Sequence, residues 1–387
     1  MNYRINKKNN DKLSALGFGC MRFPKDEKET EKQIIYAIEN GVNYFDTAYI
    51  YPNSEMVLGK ILSKGYRDRV KIATKMPPYL IKKHTDFDRI FNAQLERLQT
   101  DHIDYYLMHM LADVQTWNRL LSLGFLDWVE EKKKNKQILN LGFSYHGGKE
   151  IFIELVDIFD WDFCMLQYNY LDENKQAGKT GLEYAYGKGL PIIVMEPLRG
   201  GKLVANLPSE VYSLFDSARI KRSPAEWALR WVWNHPEVMV VLSGMNSMEM
   251  INENIRIASD AESGDLSQTD LEIFDKVQRI LEEKTKVPCT GCNYCMPCPS
   301  GVDIPTCFAC YNDIEIEGKI SALKKYIMLT SLKTQKMNAS LCTKCKKCEN
   351  HCPQKIMISE EMTKVANTLE GIYFKPLISL IRWFMRL

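Results

Sequence analysis

Two groups of residues in this chain have the types and spacing to do chemistry. The first is cysteine. Of twelve cysteines in 387 residues, ten fall in the last hundred, and eight of these make two runs, CTGCNYCMPCP (Cys289–Pro299) and CTKCKKCENHCP (Cys342–Pro353). Each run sets three thiols at CxxCxxC spacing, then a fourth followed by proline. An iron–sulfur cubane needs four thiolates converging on one compact object, and a short loop brings three of them from one turn of chain. Zinc is the alternative, but zinc ribbons use paired CxxC with four ligands per ion, which two such runs suit poorly. The second group is Asp46 and Tyr51 in NYFDTAYIYPNSEMVLGK, Lys75 at the end of VKIATK and His109 at the end of IDYYLMH. Carbonyl reduction needs a hydride delivered to carbon and a proton delivered to oxygen. A tyrosine of pKa about 10 gives up its proton readily only if its anion is stabilised. A lysine ammonium does that, a carboxylate keeps the lysine placed and charged, and a histidine orients the oxygen or shares the proton.

The elements that position these residues follow from the patterning. Short β-rich runs at Leu16–Cys20, Val42–Asp46, Val70–Lys75, Ile103–His109, Ile138–Phe143, Phe163–Gln167, Pro191–Glu196 and Val238–Leu242 alternate with amphipathic stretches. The helical stretches include Glu29–Asn40, Phe87–Gln99, Trp117–Lys136 and Pro224–Asn234, the last opened by a Ser223-Pro224 start signal. Eight strands alternating with helices predict a (β/α)8 TIM barrel, and no GxGxxG follows the first strand, against a Rossmann domain. Asp46, Lys75, His109, Ser144, Gln167 and Glu196 all stand at or next to strand ends, on the face where such barrels carry their active sites. A further amphipathic stretch, Leu266–Lys284, closes the barrel domain. Cys20 and Cys164 read as core thiols, and Cys307 and Cys310 as small apolar residues of a helix.

FDTAYIYPNSEMVLG resembles the aldo-keto reductase signature, with Lys75 and His109 matching the rest of that family's tetrad. GFSYH (Gly142–His146), QYNY (Gln167–Tyr170) and EPLRGGKL (Glu196–Leu203) are similar to further family segments in family order, over roughly the first 260 residues. The resemblance implies an NAD(P)H-dependent oxidoreductase that interconverts a carbonyl and an alcohol. Tyr51 would be the general acid, tuned by Lys75 and Asp46, with His109 positioning the carbonyl. Ser144 and Gln167 would hold the nicotinamide carboxamide. Glu196, Leu198, Gly200, Lys202, Gly244 and Met245 would line the dinucleotide, with Glu253 and Asn254 as the adenine-side pair. Gly244 and Met250 stand where many members place a lysine and an arginine to grip a 2′-phosphate, and neither can pair with one. NADPH, NADH and a flavin therefore all stay open as the hydride carrier. Trp117, Trp161 and Arg199 suggest a mixed aromatic and polar pocket.

The cysteine runs resemble bacterial-type ferredoxin motifs, the first with CxxCP where CxxxCP is usual. Ile314–Leu332 between them reads helical, similar to helical ferredoxin domains and implying a small, mainly α-helical ferredoxin-like domain. In two-cluster ferredoxins the fourth cysteine of each run ligates the other cluster. That rule assigns one [4Fe–4S] cluster to Cys289, Cys292, Cys295 and Cys352, and a second to Cys342, Cys345, Cys348 and Cys298. The expected domains are a barrel over 1–285, a two-cluster domain over 286–365 and an amphipathic C-terminal tail over 366–387.

Hydrophobic residues at 45% and charged residues at 26% fit a globular protein, and a net charge of +2 with no arginine-rich patch argues against nucleic acid. The basic N-terminal stretch has no apolar run after it, so no secretory signal is read there. Metal-type cysteines with no export signal predict a cytoplasmic protein. The tail IYFKPLISLIRWFMRL, with spaced basic residues, could lie on a membrane surface, but a helix docked on protein is preferred. The expected partners are a small carbonyl or alcohol substrate and a ferredoxin or other redox protein. The alternative is a redox-sensing or electron-transfer subunit whose barrel binds nucleotide or flavin with little turnover. Clusters move single electrons and nicotinamide moves a hydride, so direct exchange would need a converter such as flavin.

Overall fold

Eight short, mostly apolar strands curl into a closed parallel barrel. The computed structural model describes residues 1–111, 113–332, 335–372, 374, 376, 378 and 379, the side chain of residue 317 excepted. Its strands are β1 (Tyr3–Ile5), β2 (Lys12–Ser14), β3 (Leu16–Gly19), β4 (Tyr44–Asp46) and β5 (Lys71–Met76), followed by β6 (Ile103–Met108), β7 (Ile138–Tyr145), β8 (Phe163–Gln167), β9 (Ile192–Met195) and β10 (Val238–Ser243). The barrel order is β10-β3-β4-β5-β6-β7-β8-β9, so the eight strands expected from the sequence are the eight staves. The chain divides into two compact units, Met1–Leu198 with Arg222–Leu271, and Arg199–Lys221 with Glu272–Leu387.

In the first unit β4, β6, β8 and β10 are buried along their whole length, as strands covered on both faces must be. Tyr44, Tyr105, Leu107, Phe163, Met165 and Val240 are among the side chains that fill the interior. Tyr105 packs edge-on to Tyr44 and Phe163, with ring centroids 5.3 and 5.0 Å away. The lumen is therefore a packed core, and chemistry is confined to the barrel's ends.

The β1–β2 hairpin was not expected, because two three-residue strands are too short to show a period. Leu13 from it enters the interior cluster, and the Tyr105 hydroxyl donates to Asp11 at 2.7 Å. The run Trp117–Lys136 is two helices, Val114–Ser122 and Phe125–Lys134. Gly124 divides them at φ 84°, where a Cβ would lie 2.9 Å from the His84 ring. The Ser223 side chain caps helix Pro224–Trp233 by accepting from the Glu226 amide at 3.0 Å. Trp117 and Trp161, read above as pocket residues, are 1% exposed and pack tilted against each other, centroids 4.8 Å apart, in the aromatic core.

In the second unit, helices Ile304–Glu317, Lys319–Tyr326 and Ile358–Leu369 surround a core that includes Val302, Phe308, Tyr326, Met362 and Val365. Cys307 and Cys310 are fully buried in it. The stretch 314–332, expected to be helical, is the end of one helix, a break at Gly318 (φ 80°), a second helix and a π turn at Ile327–Ser331. Asn312 holds Val287 by a reciprocal pair of hydrogen bonds at 2.9 and 2.7 Å. Among the described residues no helix is long and apolar enough to cross a membrane. The end of the tail, 380–387, lies outside the described residues, as do 373, 375 and 377.

Candidate functional site

Three strand ends of the first unit bring together the four residues singled out for proton transfer. Asp46 is the last residue of β4, Lys75 is on β5, and His109 directly follows β6. Tyr51 stands in the turn after β4 that leads to helix Ser54–Leu62. Lys75 Nζ donates to Asp46 Oδ2 at 2.6 Å and to the Thr47 carbonyl at 2.7 Å. The same ammonium lies 5.0 Å from the centre of the Tyr51 ring, and the His109 ring stands edge-on to that ring at 5.9 Å. Burial pushes the Asp46 carboxyl up, against the pull of the Lys75 charge. The pair is buried, with side chains 2% and 6% exposed. Removing one partner of such a pair leaves an uncompensated charge. Asp46→Ala is expected to destabilise the barrel by about 3–5 kcal/mol, read as a fall in the urea midpoint, and an unchanged midpoint would contradict a charged pair.

A polar chain runs along the same mouth. The His146 ring nitrogen Nδ1 lies 3.2 Å from Gln176 Oε1, Gln176 Nε2 donates to Gln167 Oε1 at 2.7 Å, and Gln167 Nε2 donates to Asp172 Oδ2 at 2.9 Å. Burial pushes His146 down to about 4. His109 is held well below the ordinary histidine range by burial, then by the charges of Lys75 and His146. Both imidazoles are then neutral at neutral pH, so the pH profile of kcat/KM should show no limb near the ordinary histidine value of about 6.5. A depressed histidine pKa means the unfolded chain binds that proton first. Stability should fall as pH drops below about 6.5, and His146 should stop contributing to the fall near 4. Urea midpoints at stepped pH check the sign.

The residues expected to line a dinucleotide are dispersed over both units. In the first, Ser144 Oγ accepts from the Met110 amide at 2.8 Å, and Glu196 follows β9 in a left-handed conformation at φ 55°. Asn254 is buried and donates to Ser243 Oγ at 3.0 Å, while Glu253 accepts from Ser223 at 2.5 Å. Gly244 and Met245 follow β10, and the next helix, Met248–Asp260, is capped by Ser247. Leu198 ends the stretch after β9 that belongs to the first unit. In the second unit, Gly200 takes a left-handed turn at φ 68°. There Lys202 Nζ donates to the Cys289 carbonyl at 2.6 Å, and Arg199 donates to the Pro288 carbonyl at 3.1 Å.

The second unit also holds two cysteine-lined recesses. One is lined by Cys289, Cys292, Cys295 and Cys352, with Ile304 and Phe308 among its other walls. The other is lined by Cys298, Cys342, Cys345 and Cys348, with Val302 and Met362 among its other walls. The fourth cysteine of each run thus sits with the other run's triplet. Burial, then the thiolates of Cys289, Cys292 and Cys352, pushes the Cys295 thiol up. Burial, then Glu349, Cys342 and Cys298, pushes Cys348 up to about 11. Such mutual repulsion is what a positive iron core relieves. Among the described residues no three His, Cys, Asp or Glu gather closely enough to hold a single metal ion. Each recess is lined by four thiols, the number that a cubane takes.

Residues 15–279 match the Aldo/keto reductase family. The chain belongs to the aldo-keto reductase family. Residues 288–357 match a 4Fe-4S dicluster domain. The chain is similar to the L-galactose dehydrogenase of Arabidopsis thaliana, 27% identical over 310 residues that span 70% of this chain and 91% of the relative. It is also similar to an uncharacterized oxidoreductase of Bacillus subtilis, YrpG, 24% identical over 295 residues, 63% of this chain and 87% of the relative. Among solved structures, an aldo-keto reductase from Bacillus halodurans in its holo form aligns with TM-score 0.61 and 25% identity, over 72% of this chain and 96% of that one.

Within this aldo-keto reductase barrel, sequence reasoning passed over His146, Asp172 and Gln176. His146 was legible, because it follows a strand end inside GFSYH. Asp172 and Gln176 lie in the irregular stretch between β8 and helix Gly178–Gly187, where no periodicity signals an inward side chain.

Proposed function

We propose that the chain is a nicotinamide-dependent carbonyl reductase and alcohol dehydrogenase whose C-terminal unit carries two [4Fe–4S] clusters for one-electron exchange with a redox partner. One observation supports the barrel chemistry above the others: a buried ammonium on Asp46, 5.0 Å from the Tyr51 ring. A bound nicotinamide would supply or accept the hydride. Tyr51 gives its hydroxyl proton to the carbonyl oxygen, and Lys75 stabilises the phenolate left behind. Neutral His109 orients the oxygen toward Tyr51, and Asp46 with the Thr47 carbonyl holds Lys75 in place. Ser144 and Gln167 would hold the carboxamide, with Glu196, Leu198, Gly244, Met245, Glu253 and Asn254 along the rest of the dinucleotide. The stretch Gly244–Met250 offers a 2′-phosphate no cation and one carboxylate, Glu249, which favours NADH over NADPH.

The two recesses support one cluster on Cys289, Cys292, Cys295 and Cys352, and one on Cys298, Cys342, Cys345 and Cys348. Anaerobically purified protein is expected to carry about eight iron and eight acid-labile sulfides, and to reduce a panel of aldehydes faster with NADH than with NADPH. Zinc in place of iron would overturn the cluster reading. Turnover that is absent with both nucleotides would overturn the reductase reading and leave a redox-sensing or electron-transfer subunit. Flavin in the same extract would locate the two-to-one-electron converter in this chain.

A further inference from the structure

The two cysteine loops share a backbone path but not a surface. In the first, Gly291 and Asn293 take left-handed conformations at φ 73° and 66°. In the second, the corresponding positions are Lys344 and Lys346, at φ 57° and 60°. Glycine adopts that conformation freely and asparagine tolerates it, whereas lysine does so only against steric resistance. The second loop therefore accepts strain at two positions that the first loop relieves. An observed strain of this kind points to a use for the side chains themselves.

The charges bear this out. Cys289–Cys298 contains no charged residue. Residues 333–355 carry six lysines against a single carboxylate, Glu349. That carboxylate accepts from the Ser359 amide at 2.8 Å and the Ser359 hydroxyl at 2.6 Å. Thr343, Lys344, Cys345, Lys346 and Lys347 form a continuous exposed run, and Cys345 is exposed where the other seven cysteines of the two runs are only partly so. Among the described residues no ion pair engages Lys344, Lys346 or Lys347. The second recess is therefore open to solvent at the one ligand flanked on both sides by lysine, with the rest of the loop as a basic collar.

We infer that the Lys344–Lys346–Lys347 collar around Cys345 is the docking surface for an acidic one-electron carrier protein, and that electrons enter or leave the chain there. This rests on the reading that the Cys298, Cys342, Cys345 and Cys348 recess holds a cluster. Transient redox encounters bury little area and depend on charge steering, so a small basic surface centred on an accessible ligand has the required character. The step is a single electron transfer. The reduced carrier loses one electron, the oxidised group in the recess gains it, and no bond or proton moves.

The test uses anaerobically loaded full-length protein and, as probe, a chemically reduced bacterial two-cluster ferredoxin of net negative charge. Stopped-flow absorbance follows oxidation of the probe by wild type and by the K344E/K346E/K347E variant. The wild-type rate constant should fall steeply with ionic strength. The variant should be slower by about tenfold or more at low salt and converge on wild type at high salt. Iron content, the spin-resonance spectrum of the reduced protein and reduction by photoreduced deazaflavin, a small reductant that needs no docking, should be unchanged. Equal rates and equal salt dependence in a fully loaded variant would overturn the docking surface while leaving the clusters in place. Wild-type protein with only about four iron would instead overturn the cluster reading on which the surface depends. Lysine-dependent binding to phosphatidylserine vesicles with no effect on the ferredoxin reaction would also overturn it, in favour of a membrane surface.

Discussion

Replacing Tyr51 by phenylalanine is expected to lower kcat for carbonyl reduction by about 10²- to 10⁴-fold, the range over which a positioned general acid contributes. The change removes one hydroxyl and leaves the ring over the Lys75 ammonium and edge-on to His109. The fold and nucleotide affinity should therefore survive, and KM for the carbonyl should move far less than kcat. Loss confined to kcat is the signature of an interaction made in the transition state rather than in binding. Iron content should not move at all. A variant that keeps wild-type turnover would show that the proton comes from elsewhere. His146 would then be the next residue to test, since it stands at the same mouth.

The second large effect concerns the cysteine-lined unit. Cys289, Cys295, Cys298, Cys342, Cys348 and Cys352 pack against the core formed by Val302, Phe308, Ile358 and Met362. Whatever the four thiols of each recess hold is thus joined directly to that core. Ligand binding free energy in such a site is folding free energy. Stripping the iron with a chelator under anaerobic conditions should speed proteolytic cleavage within 287–357 by about tenfold or more, equivalent to at least ~1.4 kcal/mol of opening. The barrel has its own closed core and should keep its circular dichroism. Cleavage at the same rate in the stripped protein would show that the unit folds independently of its clusters.

Much of this protein was legible in its sequence, and the reason is that the signals were local. Each barrel strand is a run of buried residues bounded by turn residues, so eight runs in alternation with helices define the architecture. The strand ends Asp46, Lys75 and His109 follow directly, because a parallel barrel sends every strand end to one face. The two CxxCxxC runs are equally local. What the letters do not carry is which side chains meet across distance. The two-cluster rule assigned Cys352 to the Cys289 triplet and Cys298 to the Cys342 triplet, and the packing of the second unit's core is what brings each fourth cysteine to the other run. Nothing in EPLRGGKL shows that the Lys202 ammonium donates to the Cys289 carbonyl, 87 residues away in the chain. Trp117 and Trp161 read as pocket walls, yet they pack tilted against each other in the aromatic core, because large aromatic side chains gain most from burial. The strain at Lys344 and Lys346 is invisible in the letters, because only backbone angles distinguish a lysine that is free to lie anywhere from one held in a conformation that glycine would adopt at no cost.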